Sequence, residues 1–279
     1  MKSEDPLSAV TVCDLCPHAC HLLPGQVGAC KARTGSGSLN YGKLTSIALD
    51  PIEKKPLSHF YPGTNILSIG SFGCNLSCPF CQNYEISMAG AKDAETMDTT
   101  PEKIAAEAKR FVPAGNIGVA YTYNEPLIGY EFVRDTAICV KEKGLQNVLV
   151  TNGYINPPYL KAILPQIDAM NIDLKAYNPD FYHRIGGNLE IVKENIKLSA
   201  AHCHVELTTL IMDGENDSEE EFGSMCEFIK SISPNIPLHI SRFFPRYKYA
   251  DKKQTSADTL HRLEKIAKSN LKHVALGNI

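Results

Sequence analysis

No apolar run in this chain of 279 residues approaches the length needed to cross a membrane. The opening Met1-Lys2-Ser3-Glu4-Asp5-Pro6 is too polar for a secretory signal peptide. Charge of one sign is scarce too. The 28 Lys and Arg against 31 Asp and Glu leave a formal net charge of -3. That removes the electrostatic case for nucleic acid or an anionic membrane surface as partner. No internal repeat or low-complexity stretch breaks the chain. What remains is ordinary globular composition, 43% hydrophobic and 21% charged, long enough to bury one sizeable core. The expected compartment is a reducing cytoplasm, where ten cysteines suggest metal sites and buried thiols before disulfides.

Cysteine is the informative residue. Cys74, Cys78 and Cys81 are spaced Cys-x3-Cys-x2-Cys within Gly73-Cys74-Asn75-Leu76-Ser77-Cys78-Pro79-Phe80-Cys81-Gln82-Asn83. Three thiolates in one short loop can hold three corners of a cubane iron–sulfur cluster. A fourth iron is then left open to another ligand. Structural zinc takes four ligands, usually as two separated pairs. No further cysteine follows Cys81 until Cys139, so the loop offers zinc no second pair.

Cys13, Cys16, Cys20 and Cys30 form a second group in a segment punctuated by Gly25, Gly28, Gly35, Gly37 and Gly42. A module that small needs a metal or a partner surface to fold. Four thiolates there suit a structural zinc tetrahedron, or alternatively an auxiliary cluster that relays electrons or binds substrate. Cys139, Cys203 and Cys226 stand alone in apolar or helical contexts and read as small core residues.

Beyond about residue 60, strand and helix patterns alternate. Strands are predicted over 65–70, 118–123, 147–151, 169–174, 205–212 and 237–242, with a short last one at 273–276. Thr100-Pro101 and Ser218-Glu219-Glu220-Glu221 open helices with an N-cap and a capping box. Alternation of this kind implies parallel strands and right-handed crossovers. The expectation is α/β: a Cys-rich metal-binding module over 1–50, an extended connector over 50–57, and a partial (β/α)6 TIM-like barrel over 60–279.

Polar residues collect at the predicted C-terminal strand ends, where such barrels place their sites. Asn124 and Glu125 follow the second strand, and Asn152 the third. Asn171, Asp173 and Lys175 alternate with Ile172 and Leu174, so the polar three share one strand face. His239 and Ser241 share a face of the sixth strand, and Arg242 leaves it where a carboxylate could sit.

Taken together, Cys13-Asp14-Leu15-Cys16-Pro17-His18-Ala19-Cys20, Asp50-Pro51-Ile52-Glu53-Lys54-Lys55-Pro56-Leu57, Cys78-Pro79-Phe80-Cys81-Gln82-Asn83, Tyr121-Thr122-Tyr123-Asn124-Glu125-Pro126, Asn171-Ile172-Asp173-Leu174-Lys175, Ser241-Arg242-Phe243 and Leu276-Gly277-Asn278-Ile279 carry a resemblance over nearly the whole chain. The chain resembles radical S-adenosylmethionine (SAM) enzymes of the pyruvate formate-lyase-activating-enzyme-like group, and among them the radical SAM member of the AmmeMemoRadiSam system. The resemblance implies a [4Fe-4S] cluster on Cys74, Cys78 and Cys81 that chelates SAM. It implies a 5′-deoxyadenosyl radical that abstracts hydrogen from a protein or peptide, or modifies a small molecule beside a Memo-like partner. A non-catalytic metal-binding protein is the alternative from another class. A flavodoxin or ferredoxin is the implied electron donor. Asn124 and Glu125 occupy the place of a Gly-Gly-Glu motif that receives the SAM amino group, with Tyr123-Asn124 where the glycines stand. Phe80 is implied near the adenine, Asn152 and Asp173 near the ribose and methionine, with Lys175 and Arg242 completing the cofactor contacts. Longer relatives continue past the Leu-Gly-Asn-Ile motif with another cysteine pair.

Overall fold

Side chains along a strand alternate between its two faces, and that alternation builds this molecule. The computed structural model describes residues 10–278. The polar opening 1–6 and Ile279 of the last motif lie outside the described residues.

Among the described residues, eight strands form the main sheet. They are β1 (Ser46–Pro51), β2 (Asn65–Gly70), β3 (Asn116–Tyr121), β4 (Gln146–Thr151), β5 (Ala169–Asp173), β6 (His204–Ile211), β7 (Leu238–Arg242) and β8 (Val274–Gly277). Their spatial order is their sequence order. β2 to β8 run parallel, and β1 pairs antiparallel with β2 at the edge. Each parallel step is crossed by helix: α1 (Pro101–Arg110), α2 (Tyr130–Glu142), α3 (Pro157–Ile163), α4 (Leu189–Ala200), α5 (Glu219–Ile232) and α6 (Ala257–Asn270). This is the expected partial α/β barrel, with the short last strand as a seventh parallel member.

The helix starts follow local chemistry. Thr100 accepts a hydrogen bond from the Lys103 N–H, and Pro101 opens α1. Ser218 caps α5 in the same way through the Glu221 N–H. The Glu221 carboxylate does not close the expected capping box. It accepts instead from the Tyr177 N–H and the Asn178 side chain.

Two apolar layers lie on the two faces of the sheet. Leu67, Ile69, Val119, Tyr121, Leu149, Met170, Ile172, Leu207, Leu238 and Ile240 pack outward against the helices. Ile66, Ala120, Val148 and Ala169 face the lumen and pack on Ile52 and Leu57. Residues 52–57 therefore plug the end of the barrel at the strand N-termini.

The segment expected as a connector is partly strand. Its first two residues end β1, so the boundary expected at residue 50 falls inside a strand of the main sheet. Lys43–Leu44 likewise pairs with Met97–Asp98 of the following chain.

The plug is held by a buried carboxylate that the sequence reading did not single out. Glu206 on β6 is fully buried. It accepts from the Ser58 N–H (3.0 Å) and Oγ (3.1 Å) and from the His59 N–H (2.7 Å). The Nε2 atoms of His204 and His239 lie 2.9 and 2.6 Å from its oxygens. His239 thus turns to the closed end of the barrel, away from the strand C-termini. Burial pushes the Glu206 carboxyl up, but these donors outweigh it and hold it well below the ordinary range.

Removing Glu206 leaves five donors, four of them partly buried and that of His239 buried, without their acceptor. Glu206→Ala is expected to lower unfolding free energy by about 3–5 kcal/mol, read by urea denaturation at neutral pH. A depressed folded-state pKa gives stability that is complete above the unfolded value of 4.5 and lost as pH falls below it. Wild type and variant should therefore converge in stability toward acid. An equal gap at pH 7 and pH 3 would remove Glu206 ionisation from the account.

Candidate functional site

The segment after β2 must turn sharply over the end of the sheet. Gly73 makes this possible with φ of +87°, and a Cβ there would lie 2.5 Å from the Cys30 carbonyl oxygen. Asn124, after β3, then fastens the loop. Its Oδ1 accepts from the Ser71 N–H (3.0 Å), and its Nδ2 donates to the carbonyls of Phe72 (3.2 Å) and Gly73 (3.1 Å). Ser77 N–H reaches the Ile185 carbonyl at 2.9 Å, and Asn75 donates to the Tyr154 carbonyl. The loop that carries three thiols is therefore tied to three later segments.

Those thiols open onto a cavity of about 290 Å3 at the strand C-terminal ends. Cys74, Cys78, Phe80, Cys81, Asn124, Glu125, Asn152, Asp173 and Lys175 all line it. Nine residues singled out in sequence thus meet in one place. Arg242 does not join them. Its Nε donates to the Thr255 carbonyl at 2.7 Å, and its guanidinium lies over Phe244. Strand alternation explains this: Ser241 faces the cavity, and its neighbour turns away. Thr122, Thr208 and Asn278 also line the cavity. Thr208 could have been found from the period of two along β6, which puts it and Leu210 on the cavity face.

Burial governs the electrostatics. It pushes the Cys78 thiol up to about 11 and the Cys74 thiol well above the usual range, where the nearby Glu125 adds to the effect. Burial also raises the Glu125 carboxyl to about 7, against the Asn152 and Leu127 N–H groups that stabilise its charge. Glu125 Oε1 accepts from the Leu127 N–H (2.9 Å) and Thr151 Oγ1 (2.7 Å), and Oε2 from the Asn152 N–H (2.8 Å). Lys175 Nζ lies 2.8 Å from Asp173 Oδ2. Burial opposes the Lys175 charge, but Asp173 and the Cys78 thiol outweigh it and shift Lys175 upward. Asn152 Nδ2 lies 3.6 Å from Cys74 Sγ and 2.9 Å from Asn75 Oδ1. This donor set fits a thiolate-bound cluster with a polar, zwitterionic ligand beside it: three thiols, a carboxylate with a free lone pair, and an acid–ammonium pair.

Cys13 and Cys20 are opposite partners in the hairpin of Thr11–Cys13 and Cys20–Leu22. Cys16 and Cys30 lie close by, and each thiol is destabilised as a thiolate first by burial and then by its cysteine neighbours. Among the described residues, no three Cys, His, Asp or Glu side chains close on one point as the ligands of a single ion. Cys139 and Cys203 pack at the edge of the main core, and Cys226 is buried in it. No helix among the described residues is long and apolar enough to cross a membrane.

Comparison with known proteins bears on the family and the fold. The family pattern described as Radical SAM superfamily matches residues 68–229. The chain is 40% identical to uncharacterized protein MJ0808 of Methanocaldococcus jannaschii, over 96% of this chain and 81% of that one. It is 31% identical to a pyruvate formate-lyase-activating enzyme of Clostridium pasteurianum, over 57% of this chain and 67% of that one. A radical SAM methyltransferase from Sphaerobacter thermophilus shares the fold, with a TM-score of 0.57 at 17% identity over 78% of this chain and 67% of that one. The chain belongs to the radical SAM superfamily, whose cofactors are a [4Fe-4S] cluster and S-adenosylmethionine.

Proposed function

We propose that Cys74, Cys78 and Cys81 hold the [4Fe-4S] cluster, and that the chain abstracts hydrogen from a protein or peptide substrate in the manner of a glycyl-radical activase. The carrying observation is the convergence of three thiols with Glu125, Asp173 and Lys175 in one cavity. When bound, cluster and SAM supply a 5′-deoxyadenosyl radical that takes hydrogen from the substrate.

The protein's part is to bind, orient and exclude water. Glu125 Oε2 accepts a single hydrogen bond among the described residues, so it keeps a lone pair for the SAM ammonium. Asp173 and Asn152 stand at the ribose and methionine, and Phe80 at the adenine. Lys175 offsets the charge that three thiolates bring to a buried rim. Asn124 contributes by holding the cysteine loop, since its side chain is committed to residues 71–73. Cys74 and Cys78 are protonated in the metal-free chain, so cluster loading releases protons.

Two observations favour a macromolecular substrate. The cavity of about 290 Å3 is at the low end for a small-molecule site, so with SAM seated in it a substrate would be met at the mouth, where an extended backbone can reach. Pyruvate formate-lyase-activating enzymes also stand among the relatives. The direct test offers the reduced protein a proteome labelled with α-deuterated glycine. Deuterium in 5′-deoxyadenosine supports the reading. Turnover only with a small-molecule extract, and no deuterium from protein, would move the substrate to a small molecule acted on beside a Memo-like partner.

Alanine at Cys74, Cys78 or Cys81 is expected to lower iron after anaerobic reconstitution by about four per chain and to abolish 5′-deoxyadenosine formation. Wild-type cleavage by Cys78→Ala would sink the ligand assignment.

Glu125→Gln keeps the shape and the Oε1 acceptor but removes the charge. It is expected to weaken SAM binding about tenfold, by titration calorimetry under nitrogen, at unchanged iron content. Because the free carboxyl titrates near 7, wild-type affinity should rise roughly fivefold from pH 6 to pH 7 as the carboxylate forms. The glutamine variant should lose that rise. The same pH dependence in both proteins would place the ammonium elsewhere.

A further inference from the structure

The Cys13, Cys16, Cys20 and Cys30 group is not an isolated fold device. Cys30 accepts a hydrogen bond on its carbonyl from the Cys74 N–H at 3.2 Å. Gly73 packs so closely on that same carbonyl that no side chain fits. Asn75, next to Cys74, lies beside the Cys16 thiol. Its Oδ1 accepts from Asn152, whose Nδ2 also faces Cys74 Sγ. His18 Nε2 reaches the Asn75 carbonyl at 2.7 Å. The two cysteine groups are thus joined by one backbone hydrogen bond and by one side-chain bridge.

A second observation points to a ligand on the quartet. Arg33 is 9% exposed. Its terminal nitrogens bind Glu131 at 2.6 and 2.7 Å and the Ile128 carbonyl at 3.0 Å. Its buried Nε has no partner among the described residues. Burial disfavours the guanidinium charge, and Glu131 and then Cys13 restore it. A cation and an orphaned N–H beside a thiol are what thiolate-bound sulfur can use, since hydrogen bonds to sulfur tune iron–sulfur centres. The four thiols neighbour one another.

We propose that Cys13, Cys16, Cys20 and Cys30 hold a second iron–sulfur cluster that relays electrons to the site of Cys74, Cys78 and Cys81, with Arg33 as its buried hydrogen-bond donor. A low-potential one-electron carrier protein is oxidised by one electron and reduces the quartet cluster. The quartet cluster returns to its oxidised state as that electron passes on. The relay rests on the radical SAM reading, whereas the second cluster does not.

The test uses the full chain, reconstituted anaerobically. Wild type should hold about eight irons and no zinc, and should show two iron–sulfur signals by paramagnetic resonance at different potentials. Cys16→Ser should remove about four irons and one signal. The ratio of SAM cleavage driven by reduced flavodoxin to that driven by dithionite should fall at least about tenfold, because a small reductant does not need the relay. Should Cys16→Ser fail to fold, Arg33→Lys should shift the potential of one signal alone at full iron content. One zinc and four irons in wild type, or four irons and no zinc, would overturn the second cluster. Eight irons with an unchanged ratio in Cys16→Ser would overturn the relay. Eight irons with no SAM cleavage by either reductant would leave the second cluster standing and refute the enzymatic reading instead.

Discussion

The open end of the barrel depends on one amide. Asn124 binds residues 71–73 through both ends of its side chain, and so fixes where the loop with Cys74, Cys78 and Cys81 begins. A loop whose backbone groups are buried must find partners for them. Here the partners come from the end of the neighbouring strand, so the loop and the cavity wall are one construction. Glu125, the next residue, does the same for the wall itself by gathering Leu127, Thr151 and Asn152. Two adjacent side chains thus join β2, β3 and β4 at the ends where the cavity opens.

The closed end answers a different demand. A lumen lined by Glu206, Asn171, Thr208 and His239 would be costly to bury without hydrogen bonds. Residues 52–59 supply those of Glu206 and Asn171, together with the apolar Ile52 and Leu57, and these two in turn bind His239 and Thr208. Asn171 donates to the Pro56 carbonyl and accepts from Thr208. That is why Asn171 shares a face with Asp173 and Lys175 yet takes no part in the cavity: it lies one step deeper, at the plug.

Much of this was legible because it is local. The period of two along β5 put Asp173 and Lys175 on one face, and thiol spacing marked the loop. Thr100 and Ser218 announced helix starts. What stayed hidden depends on distant partners. Nothing near Ser46–Pro51 signals that it will pair with β2, because Asp50-Pro51 reads locally as the start of an extended connector. Glu206 looks like any polar strand residue until Ser58, His59 and His239 are folded around it. Arg242 was placed by its position at a strand exit, and alternation turned it away. The part played by Asn124 required knowing that residues 71–73 lie beside it.

The same logic explains Tyr123, which stands where a glycine would be expected. Its φ of +72° is glycine-like, and holding a bulky residue there costs about 1–3 kcal/mol. The strain is offset by contacts that only this side chain can make. Gly70 beneath it leaves room, since a Cβ there would lie 2.7 Å from Tyr123 Cδ2. The Tyr123 hydroxyl donates to Asp50 Oδ2 at 2.6 Å. Lys55, itself buried, binds the same oxygen at 2.8 Å and lies 4.6 Å from the ring centroid. Lys55 belongs to the plug and Asp50 to the strand that leads into it. The ring therefore runs through the lumen from the cavity wall to the closed end, and the turn that presents Asn124 and Glu125 is braced from below. A glycine would adopt the same backbone without strain but would leave Asp50 and Lys55 without their aromatic partner. The Asp50-Pro51-Ile52-Glu53-Lys54-Lys55-Pro56-Leu57 segment and Tyr123 are thus two halves of one support for the site.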